Sequence, residues 1–255
     1  MNRVDLNCDL GESFGNYTCG LDAEVIRHIS SANVACGFHA SDPLVMTRTV
    51  ALAKANGVAV GAHPGYPDLV GFGRRNLAVS PAELKAMVQY QIGALYAFCK
   101  VQGTALQHVK PHGAMYNMAA KDHKLALAIC EAVAEVDDKL ILLGLSGSQL
   151  LEAAGEVGLH WASEVFADRS YEDDGSLTPR SMAGAVIAEE DRAVEQVLQM
   201  VQKGTVTARS GKVIPVQADS ICLHGDGARA VAFAGTIRKA LEEAGVAVTP
   251  LSRLR

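Results

Sequence analysis

The chain has 255 residues, 49% hydrophobic and 20% charged, with a formal net charge of −5. That is enough for a sizeable core in one domain, about the length that an α/β barrel fills. The mild acidity, with no block of like charge, argues against nucleic acid or an anionic membrane surface as partner, and no apolar run nears the roughly 20 residues that span a bilayer.

Met1-Asn2-Arg3-Val4-Asp5 enters a strand at once and leaves no room for a signal peptide. Seven short runs rich in Val, Ile, Leu and Ala read as strands: Arg3–Cys8, Ala32–Cys36, Val58–Ala62, Leu106–Lys110, Leu140–Leu145, Trp161–Phe166 and Ser220–Leu223. Strict alternation is weak in most of them, as in a parallel sheet buried on both faces. Helical stretches separate them, which is the βα repetition of an α/β fold. Asp42-Pro43 caps a helix over Leu44–Asn56, and Ser80-Pro81-Ala82-Glu83 is a capping box for the next. After it Leu84, Met87, Val88, Gln91, Ile92, Leu95 and Cys99 make one buried stripe, polar only at Gln91. Lys121–Asp137, Ser148–Val157, Ser181–Lys203 and Gly227–Ala244 read as further helices, and Ser210-Gly211 turns a β-hairpin inserted around 205–217. Nothing marks a linker or a repeat, so residues 1–255 are expected to form a single barrel domain.

The six cysteines (Cys8, Cys19, Cys36, Cys99, Cys130 and Cys222) form no CxxC pair and no zinc-type spacing, which suits a reduced, cytoplasmic compartment.

The chemistry gathers where strands end. Val109-Lys110-Pro111-His112-Gly113 presents a lysine and a histidine where a buried run opens beside proline and glycine. Asp5, Asn7 and Asp9 share one face of the first strand, with Glu12 just beyond, and Asn33 lies in the second. His39, His63 and His224 each stand at a strand end beside Gly or Pro, whereas His108 falls inside the fourth strand as a core histidine would. Glu164, Asp168 and Arg169 leave the sixth strand in close succession. The loops after the strands are long and those before them short, and in β/α barrels the post-strand loops build the active site. Imidazoles there suit proton transfer. Lys110, Arg74 and Arg169 suit carboxylate or phosphate oxygens. For Lys110 the alternative is an ion pair with Glu164 or an Asp of the first strand. Asp9, His39 and His63 could supply mixed ligands to a metal, but no HxxxH or HExxH spacing backs a tightly bound ion. Gly211-Lys212 lacks the upstream glycine of a Walker loop, and there is no GxSxG elbow.

Taken together, Asp5-Leu-Asn-Cys-Asp-Leu-Gly-Glu12, Ala32-Asn-Val-Ala-Cys-Gly-Phe-His39, Gly61-Ala-His-Pro-Gly65, Gly71-Phe-Gly-Arg-Arg75, Val109-Lys-Pro-His-Gly113, Glu164-Val-Phe-Ala-Asp-Arg169 and Cys222-Leu-His-Gly-Asp226 resemble the LamB/YcsF family over essentially the whole chain. One departure is Ser41, where that family more often has Gly. The resemblance implies a distorted seven-stranded (β/α) barrel, TIM-like and of the glycoside hydrolase and deacetylase type. It also implies ATP-dependent opening of 5-oxoproline to glutamate, with Mg²⁺ carried by ATP and with 5-oxoprolinase subunits B and C as partners. Under it Lys110, His112, His39, His63, His224 and Glu164 are the catalytic candidates. Asp5, Asn7, Asp9, Glu12, Asn33, Arg74, Asp168, Arg169 and Asp226 are the substrate-binding candidates. The competing readings are a metal-dependent C–N hydrolase that needs no ATP and a component that binds the lactam without catalysis.

Overall fold

A computed structural model describes residues 2–223 and 230–254. In the first strand, β1 (Arg3–Leu10), alternation separates two environments. Val4, Leu6, Cys8 and Leu10 are at most 1% exposed and join the apolar core. Asp5, Asn7 and Asp9 face the other way and meet polar side chains from neighbouring strands.

The chain continues through α1 (Asp22–Val25), β2 (Ser31–Ala35), α2 (Pro43–Ala55), β3 (Ala59–His63), α3 (Pro81–Gln102), β4 (Leu106–Val109), α4 (Gly113–Ala119), α5 (His123–Val136), β5 (Ile141–Leu145) and α6 (Gln149–Glu156). Then follow β6 (His160–Phe166), α7 (Glu190–Lys203), β7 (Thr205–Thr207), β8 (Val213–Pro215), β9 (Ser220–Leu223), α8 (Ala230–Glu243) and β10 (Ala247–Val248). β1 to β6 pair in parallel in chain order, β6 pairs with β9, and β9 pairs back onto β1. Among the described residues this closes a seven-stranded parallel barrel, so inward polar groups have no open edge to solvent. β10 extends the sheet beside Arg3 and Val4. β7 and β8 pair antiparallel as a short hairpin between α7 and β9.

The barrel is distorted at β4. Its register against β3 slips between Val60 and Gly61, and it shares only His108–Ile141 and Val109–Leu142 with β5. His108 explains the need for glycine there: a Cβ on Gly61 would stand 2.0 Å from its Nε2.

Helix starts follow local chemistry. The Asp42 carboxylate accepts from the backbone N–H of Leu44 and Val45 before Pro43-led α2, and Ser80 and Glu83 complete their reciprocal cap on α3. One expected helix is shorter than its sequence suggests. It begins at Glu190, not Ser181, because the preceding backbone is committed elsewhere. Val186 bridges to Arg169, the Ile187 N–H donates to the Asp168 carbonyl, and Gly184 is left-handed. This segment becomes a strap over the carboxyl end of β6. Neither α4 nor β10 was visible in the sequence pattern. Among the described residues no helix is long and apolar enough to cross a membrane.

Candidate active site

The barrel interior is built in polar layers. At the floor Asp5 accepts from Ser30 Oγ at 2.7 Å, Ser31 Oγ at 2.6 Å and Ser220 Oγ at 2.5 Å. Burial raises its pKa from 3.8 to about 6, against the pull of those three hydroxyls. Above it Asn33 Nδ2 donates to Asn7 Oδ1 at 2.7 Å, and His108 Nε2 donates to Asn33 Oδ1 at 2.7 Å. Burial holds His108 down to about 3, so it is a neutral core group.

The next layer carries charge. Lys110 Nζ lies 2.8 Å from Glu164 Oε1 and 3.0 Å from Asp9 Oδ1. Burial disfavours its cation, yet Asp9, Cys222 and Glu164 hold its pKa well above the usual lysine value. Glu164 is fully buried and also accepts from Asn7 Nδ2 at 2.9 Å and from the Tyr116 hydroxyl at 2.7 Å. Lys110 is therefore locked between two carboxylates, and its ammonium is committed within the protein.

Beside this layer stands a wall of imidazoles. His39 and His112 stack with centroids 3.7 Å apart and planes 2° from parallel, and His63 meets both edge-on. One donor atom from each of Glu12, His39, His63 and His112 lies within 4.8 Å of the other three. Burial, then the neighbouring His63, pushes His112 down to about 3; burial, then His112, holds His39 well below the usual imidazole value. Both rings are neutral near pH 7.

The wall is braced by the loop after β3. Phe72 has φ +54, a strained value for an aromatic residue, and its carbonyl accepts from His112 Nε2 at 2.8 Å. Gly73 follows at φ +62, where a Cβ would sit 2.7 Å from the His39 Cβ. Gln91 Oε1 accepts from the Gly65 N–H at 2.9 Å, and Gln91 Nε2 donates to the Gly65 carbonyl at 2.9 Å, fixing the backbone under His39.

A cavity of about 430 Å³ opens on these groups. Asp9, His63, Lys110 and His112 line its wall, with Arg74, Arg169 and Arg180 also facing it. The Arg74 guanidinium lies 4.9 Å over the Phe72 ring. Arg169 is buried and donates to the Ala185 and Thr178 carbonyls, which anchors the strap; burial, then Arg180, lowers it to about 10. Arg75 turns outward to pair with Asp68.

Nine of the expected site residues thus meet in one network: Asn7, Asp9, Glu12, Asn33, His39, His63, Lys110, His112 and Glu164. Arg74 and Arg169 face the cavity. Asp5 is on the right face but four residues below Asp9, about 13 Å down the strand. Asp168 does not line the cavity, and its carbonyl serves the strap. His224 and Asp226 lie outside the described residues. Tyr116, Phe72 and Gln91 are the contributors the sequence pattern did not single out as functional. Gln91 left a signal as the one polar member of a buried helical stripe, and Phe72 stands within the Gly71-Phe-Gly-Arg-Arg75 motif.

A model of the LamB/YcsF family matches residues 4–255. The chain is 62% identical to the A component of 5-oxoprolinase from Clostridium beijerinckii, with both chains covered in full. It is 49% identical to the crystal structure of a lactam utilization protein from Thermus thermophilus, which superimposes with a TM-score of 0.92 over 97% of this chain and 99% of that one. A T48 deacetylase, 13% identical with a TM-score of 0.51, covers 99% of this chain and 90% of its own, a likeness of fold alone.

Proposed function

This chain belongs to the LamB/YcsF family, and from that premise we propose that it is the A component of a 5-oxoprolinase, acting on the cyclic amide of 5-oxoproline. One observation carries the reading: Asp9 and Lys110 of the charge layer and His63 and His112 of the imidazole wall line one small cavity together with Arg74 and Arg169. The substrate is a small lactam bearing one carboxylate. The guanidinium groups of Arg74 and Arg169 suit that carboxylate, which leaves the lactam carbonyl directed at the imidazole wall. Opening the ring requires an oxygen nucleophile at the carbonyl and a proton on the departing nitrogen. Asp9 presents a carboxylate acceptor for proton transfer on the cavity wall. Lys110 holds Asp9 in place and is committed to it and to Glu164, so it is not a free phosphate ligand.

An unstrained secondary amide resists hydrolysis, so the finer part of the proposal is that ring opening is coupled to ATP hydrolysis in an assembly with B and C subunits. ATP with Mg²⁺ supplies activation of the lactam oxygen when bound. Among the described residues no glycine-rich phosphate loop is present: Gly211-Lys212 lies in the β7–β8 hairpin, not between a strand and a helix. The cationic groups that can receive phosphate oxygens are Arg74, Arg169 and Arg180 at the cavity. The test is glutamate release from 5-oxoproline, with and without ATP, by the chain alone and with B and C subunits. ATP-dependent glutamate formation by the assembly is expected. Formation by the B and C subunits alone, undiminished without this chain, would refute the proposal.

A further inference from the structure

Two backbone carbonyls decide where the imidazole protons sit. A carbonyl oxygen only accepts, so His63 Nδ1, 2.7 Å from the Lys110 oxygen, and His112 Nε2, 2.8 Å from the Phe72 oxygen, carry the hydrogens of their rings. The opposite nitrogens, His63 Nε2 and His112 Nδ1, point away from those carbonyls and face each other at 3.0 Å. Two carboxylates close in on the same point: Asp9 Oδ2 is 3.2 Å from His63 Nε2, and Glu12 Oε1 is 3.7 Å from His112 Nδ1. The two ring nitrogens and the Glu12 carboxylate belong to one cluster whose donor atoms all lie within 4.8 Å of one another, close enough for a single cation to be shared among them.

The geometry points to a divalent transition-metal ion held by His63 Nε2, His112 Nδ1 and Glu12. Bonds of 2.0–2.1 Å in a tetrahedral set place donor atoms about 3.4 Å apart. The observed 3.0 Å and 3.7 Å separations straddle that value. His39 belongs to the cluster but not to the ligand set. Its ring lies flat on that of His112, and two parallel stacked imidazoles cannot aim in-plane lone pairs at one ion. It is a positioning residue: its Nε2 is 3.3 Å from Glu12 Oε1 and steadies that carboxylate. Its own Nδ1 is buried without a hydrogen-bond partner among the described residues.

Two imidazoles and one carboxylate leave a position open, as catalytic sites do and structural ones do not. Asp9 Oδ2 stands beside that position, ready to take a proton from a water molecule there, while its Oδ1 stays on Lys110. The carbonyls of Lys110 and Phe72 are the outer partners that fix both ligand rings. Nitrogen donors select Zn²⁺, Co²⁺ or Fe²⁺ over Mg²⁺, which prefers oxygen, so this ion is separate from any Mg²⁺ accompanying ATP. The inference stands on this geometry and is independent of which amide the protein opens.

The test needs no substrate. The full chain is stripped with a chelator, dialysed, and titrated with Co²⁺ alone, following its visible ligand-field bands and the bound metal by elemental analysis. One ion per chain is expected, displaced by Zn²⁺ and not by Mg²⁺. Glu12→Gln and His112→Ala, with folding checked by circular dichroism in the metal-free state, should each weaken binding by more than about 100-fold, beyond what losing an outer partner costs. His39→Asn should weaken it by about 10- to 100-fold while keeping one ion per chain. If His112→Ala fails to fold, Glu12→Gln decides, since that carboxylate lies at the partly exposed edge of the cluster. Substoichiometric binding by the unaltered chain, equal competition by Mg²⁺, or undiminished affinity in Glu12→Gln would overturn the inference.

Discussion

Replacing Asp5 by Asn should make the protein more stable at neutral pH, and the gain should vanish in acid. Asp5 is 0% exposed on the barrel floor, and burial lifts its carboxyl from 3.8 to about 6. A shift of about 2 units at 1.36 kcal/mol each is about 3 kcal/mol, with no solvent screening to discount. The sign follows from proton counting. Between about pH 4 and pH 6 the folded chain holds this proton while the unfolded chain has released it, so stability falls as pH rises through that window. Below it the carboxyl is neutral in both states and costs nothing; above it the full penalty stands. Asn keeps one acceptor oxygen for the Ser30 and Ser31 hydroxyls and turns its amide nitrogen toward Ser220 Oγ, without the charge. Urea unfolding of both proteins across about pH 4 to pH 8 reads the difference directly. Relative to Asp5→Asn, the unaltered chain should lose about 3 kcal/mol over that range. A difference independent of pH would mean that Asp5 titrates alike in the folded and unfolded states and carries no burial penalty.

Lys110→Met should cost about 3–5 kcal/mol in the same assay, since it leaves Asp9 and Glu164 without their buried counter-ion; a loss under 1 kcal/mol would mean the pair contributes little. Gly73→Ala forces a left-handed alanine, worth about 1–2 kcal/mol, and drives a methyl into His39 and His112. Its melting temperature should fall and its activity fall further, and normal activity would show that the stacked rings need no fixed geometry. Ser41→Gly relieves a left-handed serine at φ +75 and should stabilise by up to about 1 kcal/mol, read from the unfolding midpoint.

The strands were legible because buried parallel strands are short apolar runs bounded by helix caps, and β1 even showed its inner face through Asp5, Asn7 and Asp9. That alternation reports a face but not a depth, which is why Asp5 reads the same as Asp9 although it lies on the floor. Ser181–Lys203 reads as one helix because no proline interrupts the run before Glu190. Only tertiary bonds, such as Arg169 to the Ala185 carbonyl, turn that segment into a strap. The strand-end histidines could be named from the sequence, but their division of labour could not. It depends on the carbonyls of Lys110 and Phe72, which stand 47 and 40 residues away from their rings. Tyr116 was hidden in the same way: α4 begins at Gly113, and a glycine two residues past Pro111 reads as loop.

We propose that the groups around Asp9 at the strand tips open the lactam. The most direct measurement is ATP-dependent glutamate formation from 5-oxoproline by the assembled enzyme carrying either the unaltered chain or Asp9→Asn, with assembly verified by size. Asp9→Asn should lower the rate by about 10²-fold or more while the assembly stays intact, the scale of a lost proton acceptor. An intact assembly with Asp9→Asn that releases glutamate at the unaltered rate would show that Asp9 takes no part in ring opening.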